Sequence, residues 1–168
     1  LTLTSSQYIS VTDKAGTLFP SLSRIKTGIT ILDPKNSSFT VEAWVGIPAE
    51  ANTNQYVFYH ASASVGYAAY IKTSASLTVA PLVFTVFSGS NHISASYDLT
   101  KGKFTELNFM WTNTPDQKNV RIISGSTTVA KSYRYNFRNI TTRGAPLIIG
   151  SGFALDQQLL SFTPLQTY

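Results

Sequence analysis

Apolar and polar residues alternate with period two along most of this chain, and turn residues break the alternation at short intervals. In Phe39-Thr40-Val41-Glu42-Ala43-Trp44-Val45, the residues Phe39, Val41, Ala43 and Val45 fall on one face and Thr40, Glu42 and Trp44 on the other. Period two is the signature of a half-buried β-strand. The same signature predicts strands at 7–12, 28–32, 55–60, 67–73, 82–88, 91–97, 104–112, 119–124, 127–135, 146–150 and 159–163. Turn chemistry separates them at Asp33-Pro34, the 49–54 loop, Ser88-Gly89-Ser90-Asn91, Lys101-Gly102, Asn113-Thr114-Pro115-Asp116, Ser124-Gly125-Ser126 and Arg143-Gly144-Ala145-Pro146. No stretch repeats apolar residues at helical spacing, and residues 13–27, the least regular, read as a loop or short helical turn. About 12 short strands with hairpin-length turns predict an all-β chain, an antiparallel β-sandwich or barrel. Neither an internal repeat nor a linker divides it, so 1–168 reads as a single domain.

Composition narrows this further. A chain of 168 residues buries roughly 70% of its unfolded surface and needs no covalent staple. Charged residues make up 12% of it, against the roughly 25% of ordinary soluble domains. Hydroxyls fill the gap, with 20 Ser and 21 Thr. These residues compete for backbone hydrogen bonds in helices, and Thr favours strands, so helical bundles and charge-rich disorder are excluded. The formal charge of +5 comes from scattered basic residues, apart from the loose group Arg134, Arg138 and Arg143. Without a basic face or a recognition motif, nucleic acid is not an expected partner.

The absence of cysteine rules out disulfides and Cys-ligated metal. No apolar run approaches the ~18 residues that span a bilayer, so membrane insertion is not expected. No signal peptide precedes Leu1, and Leu1-Thr2-Leu3-Thr4 reads as a trimmed end. Two glycosylation sequons occur, at Asn36-Ser37-Ser38 and Asn139-Ile140-Thr141.

The order of segments resembles that of laminin-G-like and pentraxin-like domains of the concanavalin-like superfamily. The likeness runs through Gln7-Tyr8-Ile9-Ser10-Val11, Ser38 to Val45, Gly66-Tyr67-Ala68-Ala69-Tyr70-Ile71 and Lys101 to Phe109. It continues in Val120-Arg121-Ile122-Ile123-Ser124-Gly125 and Pro146-Leu147-Ile148-Ile149-Gly150. The resemblance implies a concanavalin-like jelly roll. Phe104 stands where that family has Trp, and the paired acidic calcium ligands of many relatives have no counterpart, so metal-dependent sugar binding is not implied.

Catalytic constellations are missing along the chain. Glycoside hydrolysis needs two carboxyl groups roughly 5–9.5 Å apart, which i, i+2 spacing on one strand supplies. The acidic residues here are dispersed, Glu42 and Glu50 being eight positions apart, so no strand carries such a pair. Neither a nucleophile elbow, a phosphate loop nor a zinc-binding helix motif is present. His60 and His92 stand 32 positions apart without ligand spacing, and each suits a structural or surface role. The expectation is therefore no enzyme, no metal and no cofactor.

Binding material remains. Trp44 has the wrong parity for the core and is either a sugar-stacking platform beside Thr40 and Glu42 or is covered by a loop. Along 132–139, Tyr133, Tyr135 and Phe137 share one face, and Arg134, Asn136 and Arg138 the other. An arginine there suits a carboxylate such as that of sialic acid, or else serves a solvated edge strand. His92, on the Asn91-His92 turn, is a further rim candidate. Together these predict an extracellular, cell-surface or virion-surface recognition module for a glycan or cell-surface receptor. Several viral attachment heads have the sandwich architecture implied by the resemblance, so the head of a spike or fibre is one fitting context. The alternative is a structural or adhesion domain contacting protein chains, as a homo-oligomer within a larger protein. A glycoside hydrolase ranks behind both.

Overall fold

The computed structural model describes residues 9–11, 33–35, 37–51, 54–73, 78–142, 145 and 147–150. They form ten strands: β1 (Ile9–Val11), β2 (Phe39–Gly46), β3 (Gln55–Ser62), β4 (Val65–Ile71), β5 (Val79–Ser88), β6 (Asn91–Thr100), β7 (Phe104–Asn113), β8 (Lys118–Ser124), β9 (Thr127–Arg134) and β10 (Leu147–Ile149). No helix occurs among the described residues, so none there is long and apolar enough to cross a membrane. The expected strands 28–32 and 159–163, the loop 13–27, Asn36 and Arg143 lie outside the described residues.

The strands make two antiparallel sheets, one of six in the order β1-β10-β3-β4-β5-β6 and one of four in the order β2-β7-β8-β9. The inner faces enclose a core in which Phe58, Phe84, Leu107, Phe109, Trp111 and Ile122 are buried. The rings of Phe58 and Phe84 meet Phe109 edge-on across the two sheets, at 5.2 and 5.6 Å. This is a β-sandwich. Alternation reads correctly in β2 and β7, where each strand has one face on this core. It does not describe β4 and β5, whose near-continuous apolar runs are buried on both faces. Tyr56, Tyr59, Ala68, Tyr70, Val83, Phe87 and Ile148 form a second apolar cluster on the far side of the larger sheet.

Two irregularities explain departures from the expected strand ends. A bulge between Tyr56 and Phe58 adds one residue to β3 and switches its parity. Val57 and Phe58 thus both serve the main core while Tyr56 and Tyr59 serve the second cluster. Pro81 suggests that β5 begins at 82, yet the strand starts at Val79. The Pro81 carbonyl accepts from the Lys72 amide at 2.8 Å, on the β4 side. In a strand the nitrogen of a residue points the same way as its carbonyl, so the missing N–H faces beyond the end of β4. The ladder to β6 loses nothing.

The run at 127–135 is corrected at its end. β9 stops at Arg134, and Tyr135 and Asn136 form a turn. Phe137 therefore does not share a face with Tyr133 and Tyr135. It is buried, with its ring edge-on to Trp111 at 5.8 Å.

Candidate functional site

The outer face of the four-stranded sheet gathers the side chains with most binding capacity. Register sets Thr40 opposite Met110, Glu42 opposite Asn108, Trp44 opposite Glu106 and Gly46 opposite Phe104. Directly opposed residues share a face, so Trp44 and Phe104 are diagonal neighbours on it. Both rings are open to solvent, Trp44 at 67% and Phe104 at 76%. Parity in 104–112 carries the signal for Phe104: it alternates out of phase with Leu107, Phe109 and Trp111, as Glu106 and Asn108 do.

Gly46 completes the arrangement. A Cβ built on it would stand 2.6 Å from Phe104 Cε1 and 2.7 Å from Cδ1, so the phenyl ring lies across the bare backbone of the neighbouring strand. The ring is the free end of an exposed side chain and has room to swing away. Gly46→Ala is therefore expected to change stability by less than about 1 kcal/mol while displacing Phe104. A thermal melt close to wild type, with altered Phe104 ring chemical shifts, is the expected result.

The same register brings together two carboxylates that no single strand carries. Glu42 and Glu106 are diagonal neighbours on this face, a relation that holds positions about 7–8 Å apart. Dispersal along the chain does not prevent such a pair, because strand pairing, not sequence spacing, makes it.

The other expected residues lie elsewhere. β2 and β9 are opposite edges of the four-stranded sheet, three strand spacings or roughly 14 Å apart. At the β9 edge, Arg134 Nη1 donates to the His92 carbonyl at 3.3 Å, tying β9 to β6. Asn91 and His92 are the first residues of that strand, and the turn before it is Gly89-Ser90. Tyr133 and Tyr135 are exposed beside it, ring edge to ring face at 5.9 Å. Arg138 is exposed. The structure thus brings His92, Tyr133, Arg134 and Tyr135 together and separates all four from Trp44. Asn139 is exposed, and its side-chain carbonyl accepts from Asn113 Nδ2 at 3.2 Å.

His60 is wholly buried on the inner face of β3, opposite Tyr67 of β4. Its Nε2 is 2.8 Å from the Ala145 carbonyl, which only accepts, so Nε2 carries the proton. Nδ1 then accepts from the Tyr67 hydroxyl at 2.7 Å. Burial lowers the His60 pKa, against a smaller upward pull from the Ala145 hydrogen bond and Asp33. Burial, with the Asp33 charge adding to it, raises that of Tyr67. Both groups are therefore neutral near pH 7. Asp33 accepts from Thr141 Oγ1 at 2.7 Å and from the Thr142 amide at 3.0 Å. These bonds hold Ala145 to His60 of the larger sheet and Thr141 and Thr142 to Asp33, and His60 has the structural role that its sequence context suits.

No family model and no curated protein matches the chain.

Proposed function

We propose that this protein is a non-catalytic recognition module whose sandwich is a concanavalin-like jelly roll, and that it binds a saccharide on the outer face of its four-stranded sheet. The observation that carries this reading is the pair of exposed rings, Trp44 and Phe104, side by side on a sheet face. A pyranose stacks its C–H face on such rings, while neighbouring carboxylate and amide groups take its hydroxyls. Glu42, Glu106 and Asn108 are those neighbours. Isolated exposed apolar residues are ordinary, but two adjacent aromatics among polar groups mark an interaction surface. The proposed setting is extracellular, on a cell or virion surface, with the head of a viral spike or fibre as one context.

A glycan array probed with the protein, followed by titration of each hit, tests this. Trp44→Ala and Phe104→Ala are each expected to weaken binding at least tenfold with unchanged melting temperature, since neither ring supports the core. Unchanged affinity in both variants would remove this face as the site. Glu42 and Glu106 favour hydrolysis as a second reading. Release of new reducing ends from bound oligosaccharides, abolished by Glu106→Gln, would replace recognition with catalysis.

A further inference from the structure

Resting on that saccharide reading, we propose that the outer face of the four-stranded sheet selects uncharged saccharides and rejects sialylated or sulfated ones. The sugar acceptor groups around the rings are anionic. Glu106 lies directly across from Trp44, and Glu42 lies two residues before it on the same face of β2. A ligand stacked on Trp44 therefore meets two carboxylates at once. These accept hydroxyl hydrogens well, and charge-assisted bonds of this kind are the stronger ones. They repel a carboxylate or sulfate brought to the same distance.

Among the described residues, the nearest cations do not offset them. Arg121 stands across from Met110 on β8, four positions along and two strands over from Trp44, roughly 16 Å away by strand geometry. Its Nε donates to Asn119 Oδ1 at 2.9 Å. Lys131 is one strand further still. Lys101 turns inward, its Nζ donating to the Ala51 carbonyl. Lys103 precedes Phe104 in the turn beyond the strand. That turn is joined to Ile47 by the Gly102 amide bond to its carbonyl, and exposed Lys103 leaves one cation beside Phe104 against the two carboxylates. Of the arginines suited to sialic acid, Arg134 belongs to the opposite edge, and Arg138 adjoins Asn139, which bonds Asn113 at the other end of β7 from Phe104. The overall charge of +5 thus misdescribes this surface.

The chain contains two tryptophans, Trp44 exposed and Trp111 wholly buried, so the Trp44 indole N–H resonance reports on this face alone. Titrations at low salt would compare neutral galacto-, manno-, cello- and chito-oligosaccharides, with lactose and 3′-sialyllactose as a matched pair. The expected result is a neutral member that shifts the Trp44 resonance and binds at least tenfold tighter than its sialylated form. The gap should shrink as salt rises and in the double variant Glu42→Gln/Glu106→Gln. Equal affinity for neutral and sialylated partners at Trp44, or a preference for the sialylated one, overturns the selectivity while leaving the saccharide reading intact. No shift of Trp44 with any saccharide overturns both.

Discussion

Gly66→Ala is expected to abolish stable folding, a larger effect than a methyl group would have at Gly46, Gly89, Gly102 or Gly125. Gly66 follows the hairpin turn between β3 and β4 and pairs with Ala61. A Cβ there would stand 2.2 Å from the His60 carbonyl oxygen, 2.4 Å from Ala61 Cβ and 2.5 Å from Ala61 Cα. These are backbone or backbone-fixed atoms, in contrast to the free phenyl ring that faces Gly46. Relief requires separating β3 from β4, two interior strands of the six-stranded sheet, both lined with buried aromatics. Overpacking of even adaptable cores costs about 1–3 kcal/mol, and a backbone clash costs more. Since domains are stable by only about 5–15 kcal/mol, Gly66→Ala should shift the urea midpoint sharply downward or leave no folded protein. A midpoint within error of wild type would show that the hairpin twists freely, contrary to this geometry.

His60 carries the second large effect. His60→Ala opens a cavity and leaves the Tyr67 hydroxyl and the Ala145 carbonyl without their partner, an expected loss of about 3–5 kcal/mol. The same residue makes stability depend on pH. Its folded pKa lies below the ordinary value of 6.5 because burial disfavours the imidazolium. Between the folded and unfolded pKa values, the unfolded chain binds more protons than the folded one. Stability is therefore full above about pH 6.5 and falls as the pH drops below it, with a limiting slope of about 1.4 kcal/mol per unit. The charged groups facing His60 moderate this without reversing it: Asp33 favours the cation, and Tyr67 stays neutral. Urea midpoints between pH 8 and pH 5 should decrease in wild type. His60→Gln, which keeps a donor and an acceptor but does not titrate, should show a flatter profile. A flat wild-type profile would mean that His60 charges in place.

Much of the architecture was legible from alternation because the face a strand residue takes is a local property of the pleated backbone. Val41, Ala43 and Val45 lie against the core, and Trp44 is exposed, as parity in β2 requires. The site was legible only in part. Trp44 could be singled out, but Phe104 was seen only as a substitution within a resemblance, and Glu42 only as a lone carboxylate. Parity sets Tyr133, Tyr135 and Phe137 on one face and Arg134, Asn136 and Arg138 on the other, but it ends when the chain turns at Tyr135.

The sequence by itself determined that this is an all-β chain, where most strands run, and which side chains of β2 and β7 point outward. Each of these follows from the short-range geometry of consecutive residues. Only the tertiary structure decided that β2 pairs with β7, with Trp44 opposite Glu106 and Gly46 opposite Phe104. That register joins segments some sixty residues apart and is chosen by how two sheets close over a common core. The aromatic pair, its flanking carboxylates and the distance to Arg134 all follow from that choice.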